Sequence, residues 1–346
     1  PELRRADPRG MGEFVACGCV LENRTLFERI YVLPPASAWV FRNGTVERKG
    51  AYFQPREGEE QAPLQPEAYY QEFRETFSQI LPRYFNGGER IGMSLTGGLD
   101  TRMIMAWQKS LPGSLPCYSF GGTYRDCQDV VLARQVARAC GQSHEVIPVG
   151  KEFLSRFPHY AQRTVYLTDG CADVSHSADL YVNERAREIA PIRMTGNYGG
   201  EVLRRVQALK PIHLIPGLFS PELLPYIHLA RDTYSRLLQG HPLSFAVFRQ
   251  ASWHHYGLLS LEQTQVSLRS PFLDNDFVRT VFRAPEAACL NNGVSIRLIA
   301  DGNPALARIR TDRGLMTGKN SLRARALRGL IDFTVASVKI SPSLTF

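Results

Sequence analysis

The hydrophobic positions in the central part of the chain alternate between the spacing of helices and that of short buried strands. After Pro66, large apolar residues recur every three or four positions and predict a helix: Tyr69, Tyr70, Phe73, Phe77, Ile80 and Leu81. The following pattern predicts strands at 90–96, 117–120, 144–149 and 192–195, and helices at 99–109 and 126–140. Strands that alternate with helices are typical of a parallel sheet. We therefore expect an α/β fold with a doubly wound parallel sheet, followed by a mainly helical part over 215–346.

The first 60 residues have a different pattern, of short runs separated by turn residues. Residues 14–20 and 39–41 are apolar runs of strand length, and Asn43-Gly44 is a dipeptide typical of a tight hairpin turn. Residues 54–66 are polar and rich in proline, which is typical of a linker. The pattern therefore predicts a β-rich segment ahead of the α/β part.

The composition excludes disordered, fibrous and membrane-spanning proteins. Of the 346 residues, 44% are hydrophobic and 21% are charged, as in soluble globular proteins. No apolar run approaches the ~20 residues that span a bilayer. The net charge of +8 is spread out, with dense clusters only at Arg204-Arg205 and over 319–328. These clusters lack the interleaved aromatic residues of a nucleic-acid surface, so we expect a solvated face or a site for anionic phosphates.

The cysteines and the start of the chain bear on where the protein works. None of the seven cysteines has the spacing of a zinc site, which favours free thiols in a reducing compartment. No signal-peptide pattern opens the chain. We therefore expect a cytoplasmic protein that binds neither a membrane nor nucleic acid. Because the chain starts at Pro1 rather than at Met, we interpret it as a processed chain or a fragment.

One segment carries a specific chemical signal. Residues 94–102 have the sequence SLTGGLDTR and pass from a predicted strand into a predicted helix. The two glycines let backbone amides turn inward, and the helix N-terminus adds partial positive charge, so the turn can hold an anion. Thr96 and Thr101 offer hydroxyls to phosphate oxygens, and Asp100 can hold magnesium on a polyphosphate. An ordinary turn with a capping threonine is the alternative, but the complete pattern favours phosphate binding.

Residues 96–101 resemble the Ser-Gly-Gly-Leu-Asp-Ser pyrophosphate loop of the asparagine synthetase family of ATP pyrophosphatases. Further stretches match this family in order: Asp129, Ala133, Ala137, Gly141 and His144, then 196–201 (GNYGGE, family Gly-Glu-Gly-Ser-Asp-Glu), then 270–274 (SPFLD). Residues 24–52 resemble the end of the family's amino-terminal glutaminase domain. The resemblance implies the tail of a class II glutaminase-like domain over 1–57. It also implies an ATP pyrophosphatase domain, of adenine nucleotide alpha hydrolase-like fold, over 58–346.

The resemblance also implies a reaction and a set of site residues. In this family a carboxylate attacks the α-phosphate of ATP, pyrophosphate leaves, and ammonia or an amine then displaces AMP. ATP and Mg²⁺ would be the cofactors, aspartate the first candidate carboxylate, and glutamine or ammonia the nitrogen donor, with a homodimer as a possible assembly. The resemblance gives catalytic roles to Asp100, which would also bind the metal, and to Glu201. It gives ATP or pyrophosphate contacts to Leu95, Thr96, Gly97, Gly98, Leu99, Thr101, Ser119, Phe120, Gly121, Gly196 and Gly199, and substrate contacts to Asp173, Ser175 and Asn197.

Three departures from the family pattern keep alternatives open. Asn197 stands where the family has a glutamate proposed to assist deprotonation of the amine, and an amide cannot accept a proton at neutral pH. Gly200 replaces an aspartate that helps to bind magnesium. The family's downstream lysine has no clean match, and its candidates are Arg308, Arg310 and Lys319. The hypotheses are therefore asparagine synthesis, amidation or cyclisation of a peptide, sugar or secondary metabolite, and a nucleotide-binding module without catalysis.

The remaining candidates are predicted to have other roles. The family's glutaminase uses a cysteine at residue one. This chain has Pro1 there, so we do not expect it to hydrolyse glutamine by itself. We expect His144 to be structural, Asp126 and Asp129 to cap their helix rather than to contact ATP, and Asp274 to be a helix cap.

Overall fold

The computed structural model describes residues 5–122, 126–213, 215 and 217–312. Its strands form a two-stranded antiparallel hairpin and a five-stranded parallel sheet. The hairpin consists of β1 (Ser37–Arg42) and β2 (Thr45–Ala51). The sheet consists of β3 (Ile91–Ser94), β4 (Cys117–Gly122), β5 (His144–Val149), β6 (Ile192–Met194) and β7 (Ser267–Arg269).

Helices account for most of the other described residues. In the first half of the chain they are α1 (Pro8–Cys17), α2 (Pro55–Glu59), α3 (Pro66–Phe85), α4 (Asp100–Trp107), α5 (Gln128–Ala139), α6 (Lys151–Ser155), α7 (Phe157–Thr168) and α8 (Ser177–Ile189). In the second half they are α9 (Gly199–Arg204), α10 (Leu224–Leu238), α11 (Pro242–Phe245), α12 (Tyr256–Gln263), α13 (Asn275–Phe282), α14 (Glu286–Cys289), α15 (Gly293–Gly302) and α16 (Pro304–Ala307). A π-helix covers Ala246–His255, and short 3₁₀ helices cover Val174–His176 and Pro271–Leu273.

The order of the strands confirms the predicted α/β fold. It is β5-β4-β3-β6-β7, so the chain winds outward from β3 to β5 and then crosses back to place β6 on the other side of β3. Because parallel crossovers are right-handed, this reversal places helices on both faces of the sheet. It also opens a crevice beyond the carboxyl ends of β3 and β6, the place where ligands bind in open α/β sheets.

The main core lies between α3, α13 and the sheet. The helix predicted after Pro66 is confirmed, and its Phe73 and Phe77 are fully buried. Their rings pack against that of Phe277 on α13, at centroid distances of 5.2 and 5.6 Å. Asp274 caps α13 by accepting from the backbone amides of Asp276 and Phe277, as predicted. This cap fixes the chain as it leaves β7.

The prediction of a strand over 14–20 is wrong, because residues up to Cys17 belong to helix α1. The start signals for this helix lie ahead of the apolar run. Asp7 caps the first turn by accepting from the amide of Arg9, and Pro8 supplies the fixed φ of a first helical residue. Gly18 ends the helix in the left-handed region, at φ +71°. The first four residues of this apolar run therefore form the last turn of a helix.

The segment predicted as a linker contains a packed helix. Helix α2 lies within residues 54–66, and a Cβ on its Gly58 would lie 2.4 Å from the Phe282 ring. Phe53 just before it is buried, with its ring 5.4 Å from that of Phe248. The hairpin turn predicted at Asn43-Gly44 is confirmed by the pairing of β1 with β2. The boundary at residue 57 and the glutaminase-like tail stay predictions.

The later part of the chain is mainly helical up to residue 307, as predicted, although the short strand β7 lies within it. The prediction for 313–346 lies outside the described residues. All seven cysteines are free thiols. Among the described residues, no helix has both the length and the apolar character needed to cross a bilayer.

Candidate active site

The predicted phosphate loop follows β3 and ends where α4 begins at Asp100. The Gly97 amide donates to a carboxylate oxygen of Asp129 at 2.8 Å, and the Gly98 amide donates to the hydroxyl of Thr96 at 3.3 Å. A Cβ on Gly97 would lie 2.8 Å from Leu132 and 2.9 Å from Asp129, so only glycine fits there. Asp129 on α5 therefore anchors the loop. The prediction that Asp126 and Asp129 cap this helix is wrong, because the helix has no side-chain cap and Asp126 pairs with Arg134.

A buried arginine ties the loop to the segment that follows α16. Arg102 is 2% exposed and donates to the carbonyls of Gly97 and Arg310, each at 3.1 Å, and to that of Ile309. The Asp312 amide also donates to the Gly97 carbonyl, at 3.2 Å. Burial lowers the pKa of Arg102 to about 10, and the charge of Asp312 opposes that shift. Loop and segment are thus held by shared backbone contacts.

The second site segment, residues 196–201, packs directly on the start of α4. A Cβ on Gly196 would lie 2.8 Å from the Thr101 nitrogen, and one on Gly199 would lie 2.4 Å from the carboxyl carbon of Asp100. Tyr198 between them takes the left-handed φ of +71°. Glycine at both positions therefore allows the backbone after β6 to reach the Asp100 side chain.

Helix α9 ends with Arg204, whose guanidinium lies over the Asp100 carboxylate. One nitrogen, Nη2, donates to both carboxylate oxygens, at 2.8 and 2.7 Å. A Cβ on Gly200 would lie 3.5 Å from that nitrogen, so the guanidinium fills the space that a side chain at position 200 would enter. Nη1 of Arg204 is buried and has no hydrogen-bond partner among the described residues.

Glu201 forms a second pair with a basic residue at the same edge of the sheet. Its carboxylate lies 3.1 Å from Nε2 of His255, whose ring meets that of Tyr198 edge-on at 5.5 Å. Burial raises the pKa of Glu201, but the His255 contact, backbone hydrogen bonding and the Arg204 charge outweigh burial, and the pKa lies below its ordinary value. Glu201 is therefore ionised at neutral pH.

A cavity of about 490 Å³ opens between these groups. Beyond Asp100 and Glu201 its walls include Glu262, which pairs with Arg193, and Asp179, which lies 2.8 Å from Nδ1 of His176. Burial raises the pKa of Glu262 despite the Arg193 charge. Thr311 and Asp312, in the segment that follows α16, also line the cavity. The cavity is therefore bounded by elements from distant parts of the chain.

The structure brings six of the predicted site residues to this cavity: Gly98, Leu99, Asp100, Gly196, Asn197 and Glu201. Five others lie beside it in the two segments without lining it: Leu95, Thr96, Gly97, Thr101 and Gly199. Ser119, Phe120 and Gly121 lie on β4 and do not line the cavity. Roles in binding ATP or pyrophosphate stay predictions for all of them.

The side chain of Ser119 stabilises the sheet through contacts with its neighbours. Its buried hydroxyl donates to the Leu95 carbonyl at 2.8 Å and lies 2.9 Å from Nε2 of His144. His144 therefore has the structural role predicted for it, and burial lowers its pKa. Phe120 packs beneath the guanidinium of Arg193, at 5.3 Å.

Two of the predicted substrate residues form a local turn. The carboxylate of Asp173 accepts from the Ser175 amide at 2.7 Å and caps the 3₁₀ helix, and neither residue lines the cavity. Their neighbour His176 does line it. Asn197 lines it too, and its Oδ1 accepts from the hydroxyl of Thr195 at 2.9 Å.

The two carboxylates predicted to act in catalysis both face basic side chains. Among the described residues no three His, Cys, Asp or Glu side chains gather where they could share a metal. Asp100 is engaged by Arg204 and Glu201 by His255, so both carboxylates already face basic groups. Magnesium at Asp100 stays a prediction that this geometry does not favour.

Sequence reasoning missed several residues that complete the site. The Arg204-Arg205 cluster suggested phosphate binding in general, but nothing assigned Arg204 to Asp100. Arg308 and Arg310 are exposed and do not line the cavity, and Lys319 lies outside the described residues. His255 gave no signal, because its π-helical segment has no motif and its partner Glu201 lies 54 positions earlier in the chain.

The glycine-rich turn at the strand switch, with a cavity against it, defines an α/β domain whose candidate site lies beyond the carboxyl ends of its parallel strands. The asparagine synthase family matches residues 72–323, and the chain belongs to this family. It is 22% identical over 229 residues to "Asparagine synthetase [glutamine-hydrolyzing] 1" of Bacillus subtilis (strain 168), a match that covers 63% of this chain and 35% of that protein. The chain thus spans about a third of that relative's length. Among solved structures, NMN synthetase from Francisella tularensis aligns at 14% identity with a TM-score of 0.28, over 75% of this chain and 100% of that one.

Proposed function

We propose that the chain is the ligase part of an ATP-dependent, AMP-forming amide synthetase. The observation that supports it best is the glycine-rich loop at the carboxyl end of β3, facing the segment that carries Glu201 across one cavity. Polyphosphate would bind at the loop and the N-terminus of α4, where amides and the helix dipole favour negative charge. Aspartate is the first candidate carboxylate, because the matched relative is named an asparagine synthetase.

The proposed reaction has two steps. The substrate carboxylate attacks the α-phosphorus of ATP, the bond to the β-phosphate oxygen breaks, and an acyl-adenylate and pyrophosphate form. A nitrogen nucleophile, ammonia from glutamine in the asparagine case, then attacks the acyl carbon, loses a proton, and expels AMP. Because Asn197 cannot accept that proton, we assign this role to His255, which lines the cavity with its Nε2 3.1 Å from the Glu201 carboxylate. No step is assigned to a metal ion.

The first test is ATP–pyrophosphate exchange, with aspartate alone and with a panel of other carboxylates. We expect exchange with at least one acid, and a loss on the order of 100-fold in Asp100→Ala, which also releases Arg204. Asp126→Ala is the control, since Asp126 pairs with Arg134 at the surface. The His255→Gln variant should keep the exchange but lose amide formation, because only the second step needs the base.

The panel distinguishes the candidate functions. Exchange with aspartate supports asparagine synthesis. Exchange with another acid supports amidation or cyclisation of a peptide, sugar or secondary metabolite, a candidate that the asparagine at position 197 favours. Absence of exchange with every acid, while ATP still binds, would contradict the ligase and leave a nucleotide-binding module.

A further inference from the structure

We propose that the guanidinium of Arg204, held on Asp100, is the cation that contacts the polyphosphate of ATP in this chain, so that ATP binds without a divalent metal ion. The inference rests on the proposed function, since it concerns the same cavity. It assigns a nucleotide-binding role to Arg204 and a positioning role to Asp100.

The contact between the two side chains fixes the guanidinium within the cavity. Nη2 of Arg204 donates to both oxygens of Asp100, and both residues line the cavity. Asp100 is the first residue of α4, directly after the glycine-rich loop. The positive charge therefore lies where a polyphosphate bound to the loop would end.

The same guanidinium has unused hydrogen-bonding capacity. The Arg204 side chain is only 18% exposed, and its Nη1 is buried without a partner among the described residues. A buried donor without an acceptor is costly, and a ligand in the cavity would supply the missing acceptor. Phosphate oxygens suit it well, because a guanidinium donates charge-assisted hydrogen bonds from a planar array.

A divalent ion would need the oxygens that Arg204 already occupies. Magnesium requires near-octahedral oxygen ligands, usually one or two carboxylates together with phosphates. Gly200 beside the guanidinium offers no carboxylate, and that of Glu201 faces His255. A metal at Asp100 would have to displace Arg204, at the cost of stranding a partly buried positive charge.

The test is calorimetric titration of the whole chain with ATP, once with excess magnesium and once in EDTA. We expect the wild-type affinities in the two buffers to agree within about threefold. Arg204→Gln should lower the affinity in EDTA by about 10- to 100-fold, because charge-assisted hydrogen bonds to phosphate are lost. Arg205→Gln removes the same charge one residue further on, outside the cavity lining, and should bind ATP like the wild type.

A second variant tests the same idea by gain of metal dependence. In Gly200→Asp/Arg204→Ala the new carboxylate enters space that the guanidinium vacates, and position 200 lacks the left-handed φ that would strain it. We expect its ATP affinity to fall at least about tenfold when magnesium is removed. Metal dependence as small as that of the wild type would count against a role for Arg204.

The outcomes separate this inference from the function on which it rests. Wild-type binding that needs magnesium would overturn the inference and leave the proposed function standing. No binding of ATP in either buffer would overturn both. The wild-type comparison decides the question even if Arg204→Gln does not fold, which its far-ultraviolet circular dichroism would reveal.

Discussion

Replacing Gly97 by alanine should destabilise the protein more than the same change at Gly98. A Cβ at position 97 would meet Leu132 Cδ1 at 2.8 Å and the Asp129 carboxylate at 2.9 Å, whereas at position 98 the nearest atom is the Thr96 hydroxyl at 3.5 Å. Leu132 is fully packed on α5, and Asp129 holds the amide of Gly97 itself. The methyl group can therefore enter only by overpacking, at about 1–3 kcal/mol, or by breaking a bond to a charged acceptor, at about 1.5–3 kcal/mol.

Because either response admits the methyl group, the two costs do not add, and we expect Gly97→Ala to lower the free energy of unfolding by about 1–3 kcal/mol. Gly98→Ala should change it by no more than about 0.5 kcal/mol. Urea unfolding followed by circular dichroism measures both, with similar slopes if the compactness of the two states is unchanged. Equal stability of the two alanine variants would refute the anchoring of the loop by Asp129 and Leu132.

Three further predictions concern single carboxylates. Asp129→Ala should lower the free energy of unfolding by about 1–3 kcal/mol, since the buried Gly97 amide loses its acceptor. The control, Asp126→Ala, removes a surface ion pair and should lower it by less than about 1 kcal/mol. Equal losses of the two variants in urea unfolding would contradict this. The folded-state pKa of Glu201 lies below 4.5, so its carboxylate adds stability at higher pH that is lost as the pH falls through the folded-state pKa. Wild type should thus lose more stability than Glu201→Gln between about pH 5 and pH 3, and matching acid profiles would argue against the shift. Asp274→Ala should lower the free energy of unfolding, measured by thermal unfolding, by about 1 kcal/mol, and Asp274→Asn should lower it less because asparagine still caps α13. An asparagine variant as unstable as the alanine variant would count against the cap.

Strands β3, β4 and β5 could be predicted because a helix with a periodic apolar pattern follows or precedes each of them. The helix after Pro66 and the turn at Asn43-Gly44 depend on local residues only, and both are confirmed. Helix α1 was missed because its cap, Asp7, lies well before the apolar run that begins at residue 14. Helix α2 was missed because its stability comes from Gly58 packing on Phe282, a contact across more than 200 residues.

The site was predictable where contiguous residues form it and unpredictable where it depends on side chains from distant elements. The loop follows β3 and the segment 196–201 follows β6. Because β3 and β6 are neighbouring parallel strands, the two segments must meet at the same edge of the sheet. The pairing of Asp100 with Arg204, and of Glu201 with His255, depends on rotamers and helix ends that no spacing encodes. Asp173 shows the converse, a residue whose position suggested a substrate contact and whose carboxylate is used by its own turn.

Gly200 and Arg204 are best considered together. The resemblance places an aspartate at position 200, and two carboxylates with one divalent cation have no net charge. Asp100 with Arg204 has no net charge either, so a polyphosphate would meet the same overall charge in both arrangements. The guanidinium differs in being covalently attached, so it needs no loading from solution and responds to no metal concentration. A carboxylate restored at position 200 beside an intact Arg204 would add a negative charge that nothing balances. The two positions must therefore be exchanged together, as in Gly200→Asp/Arg204→Ala, for a metal ion to take the place of the guanidinium.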